Sequence, residues 1–192
     1  MTQDAEPIAG RTDPMEERWV SLAREGNEDA FASLVRAHQD RLYHVALRLV
    51  GHPADAQDAV QESLLQVWQH LDGFRGEAQF STWVMRILIN RCHNVLRARK
   101  LTVPLPDDIG SAEGLPQAPS AEDLAVRAQR RDAVRAAVLS LPFDQRAPLV
   151  LTVFGGYTHA ETGRILGISE TAAKVRAHRG RKTLLARLQE WR

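Results

Sequence analysis

The sequence predicts an all-α protein made of two small helical domains joined by an acidic Pro/Gly linker. Three observations carry this. Apolar residues recur at three- and four-residue steps through most of the chain, the spacing of buried helical stripes. Ala, Leu and Arg dominate, with Glu and Gln among the polar residues, and no long alternation of β-branched residues interrupts them. Between residues 101 and 119 stand Pro104, Pro106, Pro116 and Pro119 with Gly110 and Gly114, which exclude a continuous helix there.

Residues 1–12 are polar, contain Pro7 and Gly10, and predict a disordered tail. Asp13-Pro14-Met15-Glu16 is a helix start: Asp13 can cap, Pro14 suits the first turn and Glu16 can reach back. This helix is expected to run to about Gly26, burying Trp19, Val20, Leu22 and Ala23. A second, from about Glu28 to Val50, carries Phe31, Leu34, Val35, Leu42, Val45, Ala46 and Leu49 and stops at Gly51. After His52-Pro53, a third buries Ala56, Ala59, Val60, Ser63, Leu64, Val67, Trp68 and Leu71. Its polar positions Asp55, Asp58, Gln61 and Glu62 share a solvent side that is mostly negative. An aromatic, Gly-containing loop leads to a fourth helix. That helix buries Phe80, Trp83, Val84, Ile87 and Leu88 and then turns basic, with Arg86, Arg91, His93, Arg97, Arg99 and Lys100. An acidic face and a basic helix end predict two kinds of partner, a basic protein surface and a phosphate backbone. Residues 13–100 make the first domain.

Beyond the linker, Ser120-x-x-Asp123 restarts helix, and Leu124, Ala128, Val134, Val138 and Leu141 mark its stripe. Leu141-Pro142 breaks it. Leu149, Val150, Val153 and Phe154 carry the next helix to Gly155-Gly156. Thr158-His159-Ala160-Glu161 is a capping box opening a short helix with Ile165 and Leu166. Gly167-Ile168-Ser169 turns the chain, and Ser169 caps a last helix from Glu170 to about Leu188. A short helix, a Gly turn and a capped basic helix together form a helix-turn-helix. Residues 120–192 make the second domain.

Net charge is only +1, but it is unevenly spread. Residues 101–124 hold Asp107, Asp108, Glu113, Glu122 and Asp123 with no Lys or Arg. Residues 174–192 hold Lys174, Arg176, Arg179, Arg181, Lys182, Arg187 and Arg192 against Glu190 alone. This asymmetry points to nucleic acid. A helix-turn-helix enters the major groove with the start of its second helix, which assigns base-edge work to Lys174, His178 and Arg179, with Arg181 at the border. Arg176 is left between phosphate contact and packing. The single Cys92 excludes a disulfide framework and a multi-Cys zinc site, and is expected to pack rather than to sense redox state. The scattered histidines, His38, His44 and His70 among them, form no metal-ligand spacing, so no metal and no cofactor is expected. There is no nucleophile elbow, phosphate-binding Gly loop or paired-carboxylate motif, which argues against an enzyme. No apolar run approaches the roughly 18 residues of a membrane span, and no signal-peptide pattern opens the chain, so a cytoplasmic protein without direct membrane insertion is expected.

The order Asp55-Ala56-x-Asp58-x-x-Gln61-Glu62, then Trp68, then Phe80-x-Thr82-Trp83-x-x-x-Ile87, then Asn90, resembles region 2 of bacterial sigma factors of the extracytoplasmic-function (ECF) type. Leu141-Pro142-x-x-x-Arg146, and Leu166-Gly167-Ile168-Ser169 followed by Ala-Ala-Lys-Val-Arg-Ala-His-Arg-Gly-Arg, resemble region 4 of the same family. The resemblance covers nearly the whole chain outside tail and linker. It implies that region 2 binds core RNA polymerase, through a coiled coil of the largest subunit, and recognises and melts the −10 element. Region 4 would read the −35 element and meet the polymerase flap. It implies polymerase contacts at Asp55, Asp58, Gln61, Glu62 and Leu65. The −10 contacts would be Arg75, Gln79, Phe80, Asn90, His93, Asn94 and Arg97, with Phe74, Arg75, Gln79 and Phe80 around a loop that cradles a flipped base. Phe80 stays open between base stacking and core. The −35 contacts would be Thr171, Lys174, Arg176, His178, Arg179 and Arg181. It further implies control by an anti-sigma factor, soluble or membrane-bound. The linker would follow the basic RNA-exit path of the polymerase and let the two domains move.

Two departures stand out. Thr162-Gly163 replaces the Ile-Ala of many relatives, and Thr171-Ala172-Ala173 replaces a frequent Gly-Thr-Val. The second leaves the identity of the −35 bases open. A regulator with a sensor domain has no use for the Gln61-Glu62 face, and a sigma mimic that only sequesters an anti-sigma factor has no use for such dense DNA-facing charge.

Overall fold

The computed structural model describes residues 13–76, 78–101 and 121–189. The expected tail, nearly all of the linker, and Ser120 as a cap lie outside the described residues, as do the side chains of Leu124 and Ala128. The described residues form α-helices and one 3-10 turn, with no strand among them.

Helix α1 spans Pro14–Arg24, and the Asp13 carboxylate accepts the Met15 amide at 2.9 Å as expected of a cap. Glu16 does not reach back to the cap. It pairs instead with the imidazole of His38, 3.4 Å away. Helix α2 (Glu28–Val50) is capped by Asn27, whose side-chain oxygen accepts the Ala30 amide at 2.9 Å. Its C-cap is Gly51 in the left-handed region at φ 83°, a conformation costly for residues with a Cβ. Helix α3 (Pro53–Gln69) starts on its proline, ends before the short 3-10 turn Leu71–Gly73, and α4 follows over Phe80–Leu101.

The second half begins with α5 (Ala121–Leu139) and α6 (Phe143–Val153), broken at Leu141-Pro142. Two expectations fail here. Val134 of α5 is exposed, and so are Val153 and Phe154 at the end of α6 and just beyond it. The buried side of α6 is Ala147, Pro148, Leu149, Val150 and Leu151, because the helix turns that side toward both α8 and α2. The capping box of α7 (His159–Leu166) forms in full, with Thr158 Oγ1 accepting the Glu161 amide and Glu161 Oε2 accepting the Thr158 amide. Ser169 Oγ accepts the Ala172 amide at 3.1 Å and starts α8 (Glu170–Gln189).

Helices α1 to α4 pack pairwise as one bundle, and α6, α7 and α8 as a second group joined by α5. The two groups are docked: α7 rests on α4, and α5 and α6 rest on α2. A single hydrophobic core runs from Leu34, Val45, Leu49 and Leu88 through to Val138, Val150, Leu151 and Ile165.

Candidate nucleic-acid interface

The last helix, α8, buries Ala173, Ala177 and Gly180 against its neighbours and leaves most of its charged residues outside. Small residues are required on that inner side. A Cβ at Gly180 would lie 2.9 Å from the Gln145 carbonyl oxygen of α6. At Gly163 of α7, a Cβ would lie 2.8 Å from the Ile168 carbonyl oxygen in the turn. The departure at Gly163 therefore lets the two helices of the helix-turn-helix close on each other. Thr171, Lys174, His178, Arg179 and Arg181 are exposed, and Arg176 is half-buried. Lys174, His178, Arg179 and Arg181 line an open cleft of about 640 Å³ between α8 and the Tyr157–His159 segment. Their grouping differs from the expected one. At about 100° per residue, Arg181 lies within about 60° of Lys174 and His178, whereas Arg179 lies about 100° around the helix from His178, beside Val175.

On the first domain the loop after the 3-10 turn folds over an aromatic cluster. Phe74 and Phe80 meet edge-on at 5.7 Å between centroids, Phe74 and Trp83 at 5.2 Å, and His38 and Phe80 at 5.5 Å. Phe80 is 4% exposed, so its base-facing reading gives way to the core one. The apolar ring is removed from water by Phe74, Trp83 and His38, and it has no free face on which a base could stack. Phe74 and Trp83 remain partly accessible, and Phe74 faces a cleft. With Arg75 and Gln79 it lines a cleft of about 610 Å³ whose far wall includes Glu161 and Arg164 of α7. Along α4, Asn90, His93, Asn94 and Arg97 are all exposed. His93 also lays its ring against Phe143 of α6, with centroids 4.8 Å apart.

The α3 face has one feature that residue spacing did not show. Asp58, Gln61, Glu62 and Leu65 are exposed, Leu65 to 57%, and Asp55 is half-buried. Yet two of the acids are engaged within the chain. Glu62 pairs with Arg91, and Asp55 Oδ2 sits 2.5 Å from the Arg99 guanidinium, so the acidic and basic faces border each other. Asp58 and Leu65 stand at the centre of the outward stripe. Cys92 is buried, and burial pushes its thiol from 9.0 up to about 12, which leaves it protonated and unreactive. Among the described residues there is no cluster of His, Cys, Asp and Glu able to hold a metal ion. No helix among them is long and apolar enough to cross a membrane.

The described residues are helical, with an acidic outward stripe on one domain and a basic helix-turn-helix on the other, and the family matches give the class: a sigma factor of the sigma-70 type. The family descriptions "Sigma-70 region 2" and "Sigma-70, region 4" match residues 34–102 and 131–184. The chain is 33% identical over 179 residues to the ECF RNA polymerase sigma factor SigM of Mycobacterium tuberculosis (strain H37Rv), covering 92% of this chain and 86% of that one. It is 29% identical over 178 residues to the ECF RNA polymerase sigma factor SigW of Bacillus subtilis, covering 89% and 95%. The protein belongs to the ECF RNA polymerase sigma factors. Its fold is that of CnrH, solved in complex with the cytosolic domain of CnrY, with a TM-score of 0.71 at 24% identity over 92% of this chain and 99% of that one. It is also that of the sigma factor RpoE of Bartonella quintana, solved with the anti-sigma factor NepR, with a TM-score of 0.68 at 21% identity over 83% and 96%.

Proposed function

We propose that this chain is a dissociable subunit of bacterial RNA polymerase that selects promoters and starts transcription, acting in the cytoplasm beside the polymerase it serves. The observation that carries the reading is the presence of two separate exposed surfaces in one chain matching both regions. One is the α3 stripe of Asp58, Gln61, Glu62 and Leu65, and the other is the basic outer side of α8. The first suits the largest-subunit coiled coil: an acidic stripe around an exposed leucine combines long-range attraction with an apolar anchor. The flap is assigned to the second domain. Arg75, Gln79 and Phe74 at the cleft, and Asn90, His93, Asn94 and Arg97 on α4, serve −10 DNA, with Phe80 holding the loop from beneath. Thr171, Lys174, Arg176, His178, Arg179 and Arg181 serve the −35 element. An anti-sigma factor, soluble or membrane-bound, is the expected regulator, supported by RpoE, solved with the anti-sigma factor NepR, and by CnrH, solved with the cytosolic domain of CnrY.

Run-off transcription tests this. Core polymerase supplied with the chain and a promoter library gives transcripts from a defined subset, and the Asp58→Lys/Glu62→Lys double variant loses both core binding and transcript while keeping its helicity. In the same assay Arg179→Ala costs about 1–3 kcal/mol at one −35 position if that contact is a bidentate base contact. Uniform weakening across a −35 panel assigns Arg179 to phosphate instead. Absence of any promoter-specific transcript favours a regulator or mimic and overturns the reading.

A further inference from the structure

The cleft between α8 and the Tyr157–His159 segment carries charge of one sign. Lys174, His178, Arg179 and Arg181 stand on its α8 wall, and among the described residues that line it none is acidic. The acid nearest to it on α7, Glu161, is buried and already engaged. Its Oε2 accepts the Thr158 amide and the Thr158 hydroxyl, each at 2.8 Å, so the carboxylate serves the cap of α7. Glu170, the acid of α8 among the described residues, stands eight residues before His178, about 12 Å along the axis at about 1.5 Å per residue. The Tyr157 phenol adds no negative charge, because burial pushes it from 10.0 up to about 12. Its ring lies under the Arg41 guanidinium at 4.1 Å, and its hydroxyl donates to the Ser81 carbonyl. Thr152, the α6 residue of the lining, is uncharged. On the wall facing α8, His159 is the first residue of α7. Its Nδ1 is enclosed and has no hydrogen-bond partner, which leaves Nε2 as the nitrogen that meets a ligand. With Nδ1 as the bare acceptor, a neutral ring carries its proton on Nε2 and offers a donor to the cleft. His178, on the other wall, is exposed.

We propose that His159 is a phosphate-binding residue for −35 DNA, facing α8 across the cleft, and that His178 makes the same binding proton-linked, tighter at about pH 6 than at about pH 8. Both roles rest on the sigma-factor reading and add to it, since the spacing of α8 residues gave no part to His159. Cations around an imidazole oppose its charging, and a phosphate brought beside it favours the charged form. An anion entering a cleft of cations and an exposed imidazole therefore takes up a proton with it. The bound state holds more protons than the free one, so affinity rises as pH falls, by at most about tenfold per pH unit for each proton taken up. A neutral Nε2–H donor works at both ends of that range. The two histidines therefore leave different signatures, one independent of pH and one set by it.

Holoenzyme assembled from core polymerase and the full-length chain, titrated onto a fluorescent promoter fragment chosen by run-off transcription, reads both. A fragment cut short of the −35 element supplies the pH response of every other contact and is subtracted. The native chain is then expected to gain about tenfold in affinity from about pH 8 to about pH 6. His178→Lys, which fixes the charge, removes that gain and stays tight at the higher pH, whereas His178→Gln removes it and stays weak. His159→Ala loses about fivefold at both pH values, with its melting temperature and its order of preference across a −35 panel unchanged. His159→Gln restores the loss, because its amide donates from nearly the position of Nε2. Native binding without the pH response, or a response that survives His178→Gln, overturns the proton linkage. His159→Ala at native affinity, or a loss that His159→Gln leaves in place, overturns the phosphate contact. A native holoenzyme that selects no promoter at either pH overturns the sigma-factor reading instead.

Discussion

Thr162 buries a hydroxyl that finds no hydrogen-bond partner among the described residues. An unsatisfied buried hydroxyl costs on the order of 1–3 kcal/mol, so Thr162→Val, nearly the same shape without the oxygen, is expected to stabilise the protein by about 1 kcal/mol. Thermal unfolding would register this as a rise of about 2–4 °C, and a fall in melting temperature would mean that the hydroxyl has a partner. Cys92 and Tyr157 make a different single-residue prediction. Burial pushes the thiol from 9.0 to about 12 and the phenol from 10.0 to about 12. A neutral acid whose folded pKa is raised contributes stability below its unfolded pKa and loses it as pH climbs to the folded one. Urea midpoints are therefore expected to hold up to about pH 9 and fall from there to about pH 12. Cys92→Ala should shift the onset of that fall toward pH 10, the phenol's range; an unmoved onset would show that another group drives it.

Among the elements, the helix-turn-helix depends most on one glycine. Helix propensity alone says that Gly163→Ala gains roughly 1 kcal/mol. The structure reverses the sign, because the new Cβ would meet the Ile168 carbonyl oxygen at 2.8 Å and the Glu170 amide nitrogen at 3.2 Å, both backbone atoms that cannot step aside alone. The expected result is a net loss of about 1–3 kcal/mol and weaker −35 binding through a tilted α8. Stability at or above the native value would show that the turn can relax. The same reasoning explains why α8 can present its charges at all. Its inner side of Ala173, Ala177 and Gly180 lets it lie close on α6 and α7, so the long side chains are left on the outside.

For the molecule as a whole, the shared core of α2 and α4 with α5, α6 and α7 predicts coupled unfolding. A calorimetric scan of the full chain should show one endotherm with matching calorimetric and van't Hoff enthalpies. Two resolved endotherms would mean that the domains melt independently and that the contact between them is weak. The placement of α7 also gives the Phe74, Arg75 and Gln79 cleft a wall from the second domain, Glu161 and Arg164. The surfaces proposed for −10 and −35 DNA are therefore neighbours in this structure, which spacing along the chain gave no reason to expect.

By itself the sequence determined the helices, the caps at Asp13, Thr158 and Ser169, and both family motifs. The reason is that these are local: a capping box, a left-handed glycine and a three-to-four-residue apolar step act over less than ten residues. It also marked which charges are expected to serve DNA, because a capped basic helix after a Gly turn points to a helix-turn-helix, but not how those charges group around the helix. Only the tertiary structure decided what Phe80, Asp55 and Glu62 do. Phe80 was open between base and core until Phe74, Trp83 and His38 closed around it, and the acids looked free until α4 brought Arg91 and Arg99 alongside. Arg146 was legible as a motif residue but not as a tie, since its acceptor at Leu49 lies 97 residues away. A hydrogen bond between such distant residues leaves no periodic trace in sequence, because it depends on how two finished domains meet.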